Sequence, residues 1–252
     1  MNDWHRAVVV ASGPSFSVEQ AAMIESARAS GSWRVIVVSD NWRRLPAADL
    51  LYSGDSSWWF STPDPDRYIP IAGHEPHFLR GVSNLEATRF AFAGERWIQA
   101  DRDYLERDRK ASERVRELEA AGVRMVRAVR QARPLPLGDP RIAAGNNSGF
   151  AALMLARLLG ARSIVLVGFD MQRTGGREHW FGPHPKKGKF ILADGDPANF
   201  RRCFIEAAPI LAREGIDVVN CSPASALDCF RRARLSEILE PAQHDEDSRI
   251  AL

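Results

Sequence analysis

The sequence predicts an α/β fold: a single Rossmann-like domain whose mainly parallel sheet carries helices on both faces. Three observations carry this. Short β-branched apolar runs recur along the 252 residues, helix-like stretches separate them, and each run stops at small or polar residues. Continuous apolar strands suit a sheet buried on both faces, and an intervening helix lets successive strands run parallel.

The first run, Ala7-Val8-Val9-Val10-Ala11, leads directly into Ser12-Gly13-Pro14-Ser15, and a helix-like stretch begins near Ser17. A strand feeding a helix through a glycine turn presents backbone N–H groups at the helix start, a setting for an anion such as phosphate. An ordinary βα turn reads the same way. Val35 to Val38 predicts a second strand, ending at Ser39-Asp40-Asn41. Asp49 to Tyr52 predicts a short third, ending at Ser53-Gly54-Asp55. Ser61 to Gly81, with its prolines, His74 and His77, predicts a long loop or flap.

Tyr104 to Arg130 is dense in charge and predicts a solvated helix with local ion pairs; phosphate or nucleic-acid contact is the other reading. Residues from about 61 to 135 are thus expected to form a variable loop and charged helical insertion in one domain over 1–240. Asn146-Asn147-Ser148-Gly149 precedes Phe150 to Leu159, apolar at nearly every position and so a buried helix. Asn147 or Ser148 either caps that helix or contacts an anion or ribose, and Gly149 leaves room for a ligand against the backbone.

Ser163 to Val167 is the clearest strand and ends at Gly168-Phe169-Asp170. Asn199 to Glu214 predicts a helix closed by Gly215 as its C-cap. Ile216 to Asn220 predicts the last strand, ending at Cys221-Ser222-Pro223. Residues 241–252 predict a disordered acidic tail. Ligands of such folds bind at the carboxyl ends of the strands, where this chain gathers its small and polar residues.

Composition narrows the function. No run approaches the roughly 18 to 20 apolar residues that cross a bilayer, and the N-terminal residues lack a signal-peptide layout. Cys203, Cys221 and Cys229 show no paired metal spacing and are expected to be reduced thiols in a cytoplasmic protein. A net charge of +2 does not demand a nucleic-acid partner. Arginine far outnumbers lysine, which favours discrete phosphate contacts. Composition leaves the oligomeric state open.

Gly175 to Lys187 gathers His179, His184, two aromatics and three cations in one loop. Histidine is the side chain suited to proton transfer near neutral pH. Zinc would need a further ligand that the neighbourhood lacks, so no metal site is expected. Pro183 and Pro185 stiffen the chain around His184, the expected proton-transfer residue. His179, beside Trp180-Phe181, is expected to pack or hydrogen-bond.

An ordered set of motifs carries a family likeness. Ala11-Ser12-Gly13-Pro14-Ser15, Asp40-Asn41, Asn147-Ser148-Gly149, Gly168-Phe169-Asp170, His179-Trp180-Phe181-Gly182-Pro183-His184 and Cys221-Ser222-Pro223-Ala224-Ser225 resemble the bacterial sialyltransferases with a GT-A-like, metal-independent fold. A looser likeness extends to phage proteins of unassigned activity and to 6-hydroxymethylpterin diphosphokinase-like proteins. The resemblance implies that Gly13, Pro14 and Ser15 cradle the phosphate of a sugar nucleotide, that Asn41, Ser148 and Gly149 hold the nucleotide, and that His184 is the general base. Ser12, Asp55, Asn147 and Asp170, at the same strand ends, complete the candidate set. The chain departs from that family in having Ser53-Gly54-Asp55 where the family has an asparagine, and Gln172 where it has a tyrosine. Arg173, Arg177, Lys186 or Lys187 would then neutralise the leaving phosphate.

The expected function is therefore a glycosyltransferase that uses a sugar nucleotide as substrate and no cofactor. Two alternatives use the same residues. A diphosphokinase-like phosphoryl transferase would hold Mg²⁺ on Asp55 and Asp170. A non-catalytic phage nucleotide or nucleic-acid binding protein would use the Arg-rich 102–133 segment and Trp58-Trp59.

Overall fold

The computed structural model describes residues 4–62, 82–101, 106, 108–145, 147–182 and 197–239. Its centre is a sheet of nine strands, all paired in parallel: β1 (Arg6–Val10), β2 (Arg34–Val38), β3 (Leu50–Tyr52), β4 (Glu95–Ala100), β5 (Arg124–Val129), β6 (Ile142–Ala143), β7 (Ser163–Val167), β8 (Asp217–Asn220) and β9 (Arg231–Arg232). The spatial order is β6-β5-β4-β3-β2-β1-β7-β8-β9. The chain steps outward from β1 to β6, returns to place β7 against β1, and then builds the other half. The order reverses between β1 and β7, which is the switch point of the sheet.

Both faces are covered, and the alternation of side chains divides the core in two. Ala7, Val9, Ile164 and Leu166 point into the layer with α5 (Ser148–Leu158) and α6 (Pro197–Arg213). Val8, Val10, Val165 and Val167 point into the layer with α1 (Val18–Ala29), α2 (Ser56–Phe60), α3 (Asn84–Ala91), α4 (Arg109–Ala120) and α7 (Leu235–Leu239). This is why the central strands read as unbroken apolar runs. Among the described residues no helix is long and apolar enough to cross a membrane.

Local signals set the element ends. Ser17 caps α1 with a capping box: its side chain accepts from the Gln20 N–H while Gln20 reaches back to Ser17 N–H. Gly215, at φ 71°, closes the turn after α6 as expected. Helix α5 is buried from Gly149 to Arg157, and Arg157 is satisfied by Glu214 at 2.6 Å and by the Leu135 carbonyl.

The charged stretch differs from the expectation of one helix over Tyr104 to Arg130. Helix α4 stops at Ala120, Gly122 takes φ 79°, and the chain turns into β5. Residues 95–100 form β4, so this part of the chain supplies two strands of the sheet as well as the charged helix. In β5, Val126 and Ala128 are buried between exposed Arg124, Met125 and Arg127, an alternation hidden inside the charge. Most of the expected loop over 61–81, namely 63–81, and the expected tail over 241–252 lie outside the described residues.

Candidate functional site

The carboxyl edge of the sheet has two different regions. The first is the switch point, where the turn after β1 meets the turn after β7. Gly13 N–H donates to Gly168 O at 2.8 Å, and Phe16 N–H donates to Gly13 O at 3.0 Å. Ser15 N–H donates to Asp170 Oδ2 at 3.0 Å and Ser15 Oγ–H to Asp170 Oδ1 at 2.5 Å. Pro14 has no N–H. These N–H groups, placed where a phosphate cradle was expected, are spent inside the protein. A Cβ on Gly13 would stand 2.1 Å from Asp170 Oδ1 and 2.4 Å from Gly168 O, so the glycine admits the neighbouring turn.

Asp170 is the centre of this clasp. Its Oδ2 also accepts from Thr174 Oγ at 2.9 Å. Burial pushes its carboxyl above the ordinary carboxylate value, while the bonds from Ser15 and Thr174 pull it back. The next residue, Met171, has φ 52°, the left-handed region that a non-glycine residue enters at a cost.

The hairpin after Met171 folds onto the same region. Trp180 N–H donates to Ser12 O at 3.1 Å, and Trp180 Nε1–H to Asn41 Oδ1 at 2.8 Å. Asn41 is fully buried and also donates to Val10 O and Val38 O, so it ties the ends of β1 and β2 to the hairpin. Arg44 lies 3.7 Å from the Trp180 ring centroid and bonds to the Phe16 carbonyl. Ser12 Oγ and His179 Nδ1 are 3.0 Å apart, and the His179 ring stacks on Phe181. His179 thus packs and hydrogen-bonds, as expected of it. Arg173 pairs with buried Glu178 at 2.7 Å, and Arg177 is exposed on the hairpin. Pro183, His184, Pro185, Lys186 and Lys187 lie outside the described residues.

The second region is a cavity of about 320 Å³ beside the ends of β3 to β6. Each of these strand ends contributes a polar or small group: Asp55 after β3, Asp101 after β4, Arg130 after β5, and Gly145, Asn147 and Ser148 after β6. Gln99 of β4 and Ala111 and Val115 of α4 complete the walls. Asp55 caps α2 by accepting from Ser57 N–H at 2.8 Å. Asn147 caps α5: its Oδ1 accepts from Gly149 and Phe150 N–H at 2.7 and 3.1 Å. The capping role considered for Asn147 is therefore realised. A Cβ on Gly149 would meet the Phe169 ring at 2.9 Å, so what approaches that backbone is Phe169.

Asp55, Asn147 and Ser148 come together in the cavity. Ser12, Gly13, Pro14, Ser15, Asn41 and Asp170 are not among its lining residues. Asp55 and Asp170, the pair considered for Mg²⁺, are not brought together there. Gln99 and Asp101 are lining residues not foreseen from sequence, and Arg130 was considered only as part of the Arg-rich 102–133 segment. Asp101 and Arg130 directly follow strands, and strand-end position would have found them had β4 and β5 been recognised. Comparison with protein-family models, with curated proteins and with solved structures finds no match to this chain.

Proposed function

We propose that this chain is a transferase acting on a nucleotide-activated donor, moving a sugar from a sugar nucleotide to a hydroxyl acceptor. One observation supports it above the rest: the cavity at the carboxyl edge, to which four strand ends bring Asp55, Asp101, Arg130 and Ser148. Ligands of parallel α/β sheets sit in this position, and the volume falls at the small end of small-molecule sites. Arg130 supplies a donor for phosphate. The carboxylates supply acceptors for hydroxyl groups. In this scheme His184, set between Pro183 and Pro185 in the sequence, serves as the general base.

The test is a thermal-shift screen of nucleotides and sugar nucleotides. A ligand present at 100 times its Kd adds about 2.7 kcal/mol to the folded state. For a chain of this length that raises Tm by roughly 5–10 °C. At least one sugar nucleotide should do so, and Arg130→Ala should abolish the shift. A flat response across the whole panel at millimolar concentrations would sink the proposal.

A further inference from the structure

The charge pattern of the carboxyl-edge cavity selects the part of a donor that it can take, an inference that rests on the transferase proposal. Among its described lining residues, the carboxylates Asp55 and Asp101 are set against one guanidinium, Arg130. Among those described residues negative charge is in excess.

Gln99 adds a donor of fixed orientation. The Tyr52 side chain is fully buried, and its phenol donates to Gln99 Oε1 at 2.7 Å. Burial pushes that phenol far above its ordinary value, so it keeps its proton and goes on donating. With Oε1 engaged, the Gln99 amide turns Nε2 toward Gly54 on the cavity wall, where an added Cβ would stand 3.1 Å from it. The cavity thus combines a locked N–H donor with two carboxylate acceptors. Among the described lining residues there is no aromatic ring on which a base would stack.

We propose that this cavity seats the transferred group of the donor, and that the group is a neutral, hydroxyl-rich sugar rather than an acidic one. Sugar hydroxyls donate to Asp55 and Asp101, Gln99 Nε2 donates to a sugar oxygen, and Arg130 takes the anomeric phosphate. A carboxylate on the sugar would meet two like charges, and such a repulsive element discriminates between otherwise similar ligands.

The test uses two probes that differ only at carbon 6, glucose 1-phosphate and glucuronic acid 1-phosphate, titrated calorimetrically into the whole protein. Glucose 1-phosphate should bind at least about tenfold more tightly. Asp101→Asn should narrow that gap by admitting the acid. Asp55→Asn, which keeps a competent helix cap, provides the same reading if the first variant fails to fold. Gln99→Glu should weaken glucose 1-phosphate about tenfold. Equal or tighter binding of the acid overturns the proposal, as does a gap untouched by either Asn variant, and so does binding of neither probe. The nucleotide screen separates the two levels. Sugar phosphates discriminated without any nucleotide response remove the transferase and leave a neutral-sugar site. A nucleotide response without this discrimination does the reverse.

Discussion

The two regions of the carboxyl edge use similar residues to opposite ends. At the switch point, Ser15, Thr174 and Asp170 spend their hydrogen bonds on one another, and Trp180 is bonded to Asn41 and to Ser12 O across the turn. Beside β3 to β6, small residues at the strand ends, Gly54, Ala128, Ala144 and Gly145, leave a space with polar groups around it. The sequence motif most like a phosphate loop lies in the closed region, and the cavity lies in the open one. A glycine turn becomes an anion site only when its N–H groups have no better acceptor, and here the β7 turn supplies one.

Substituting one glycine in each region separates the two most strongly. In Gly13→Ala the new Cβ meets the Gly168 carbonyl at 2.4 Å and Asp170 at 2.1 Å, and that carbonyl is backbone already bonded to Gly13 N–H. Forced overpacking of this kind should cost about 3 kcal/mol, lowering Tm by roughly 6–12 °C. In Gly54→Ala the nearest atoms are the Gln99 amide at 3.1 and 3.2 Å and the Tyr52 hydroxyl at 3.3 Å, side-chain atoms that need give only slightly. That variant should stay within about 1 kcal/mol of the parent. Comparable losses from the two substitutions, measured by thermal melts, would show that the regions are not closed and open in the way described.

Asp170→Asn sharpens the same contrast by a smaller amount. The amide keeps one acceptor oxygen and loses the other, so one of the bonds from Ser15 or Thr174 goes, at about 2 kcal/mol near neutral pH. The sign of the pH dependence follows from the raised carboxyl. Between its ordinary 3.8 and the raised value, the folded chain holds a proton that the unfolded chain has lost. The contribution of Asp170 is therefore complete below 3.8 and declines as pH rises through the raised value. The stability gap between parent and variant should widen as pH falls toward about 4. A gap that narrows on acidification would mean that the hydrogen bonds, not burial, control this carboxyl.

The fold was legible where burial is two-sided. Strands β1, β2 and β7 have no exposed face, so composition alone reveals them. Strands β4 and β5 were not legible, because their exposed positions hold Glu95, Arg124 and Arg127 next to a charged helix, and charge outweighed a period of two. The two-residue β6 and β9 are too short to carry any pattern. The same blindness hid half of the cavity, since Asp101 and Arg130 are recognisable only as residues that follow strands. Asp55, Asn147 and Ser148 were legible because they flank a recognised strand or helix. Whether a polar residue at a strand end turns inward, like Asp170, or lines a cavity, like Asp55, depends on a partner far away in sequence. Ser15 and Asp170 are 155 residues apart, a pairing that no local pattern records.

The smallest expected effect separates the two histidines. His179 belongs to the closed region: its Nδ1 lies 3.0 Å from Ser12 Oγ, and its ring stacks on Phe181 at a centroid distance of 5.0 Å. Its removal takes away a side-chain hydrogen bond and a partly buried ring contact while Trp180 remains anchored to Ser12 O and Asn41. His179→Ala should therefore cost only about 1 kcal/mol, seen as a Tm lower by roughly 2–4 °C. Turnover per folded molecule should stay near that of the parent with a donor found in the nucleotide screen. His184→Ala should lose about 10²- to 10⁴-fold in rate, the usual loss for a general base, while nucleotide binding survives. A His179 variant that folds normally but has lost turnover would place proton transfer at the Ser12–His179 pair. That result would make the closed region the chemical one and reverse the comparison.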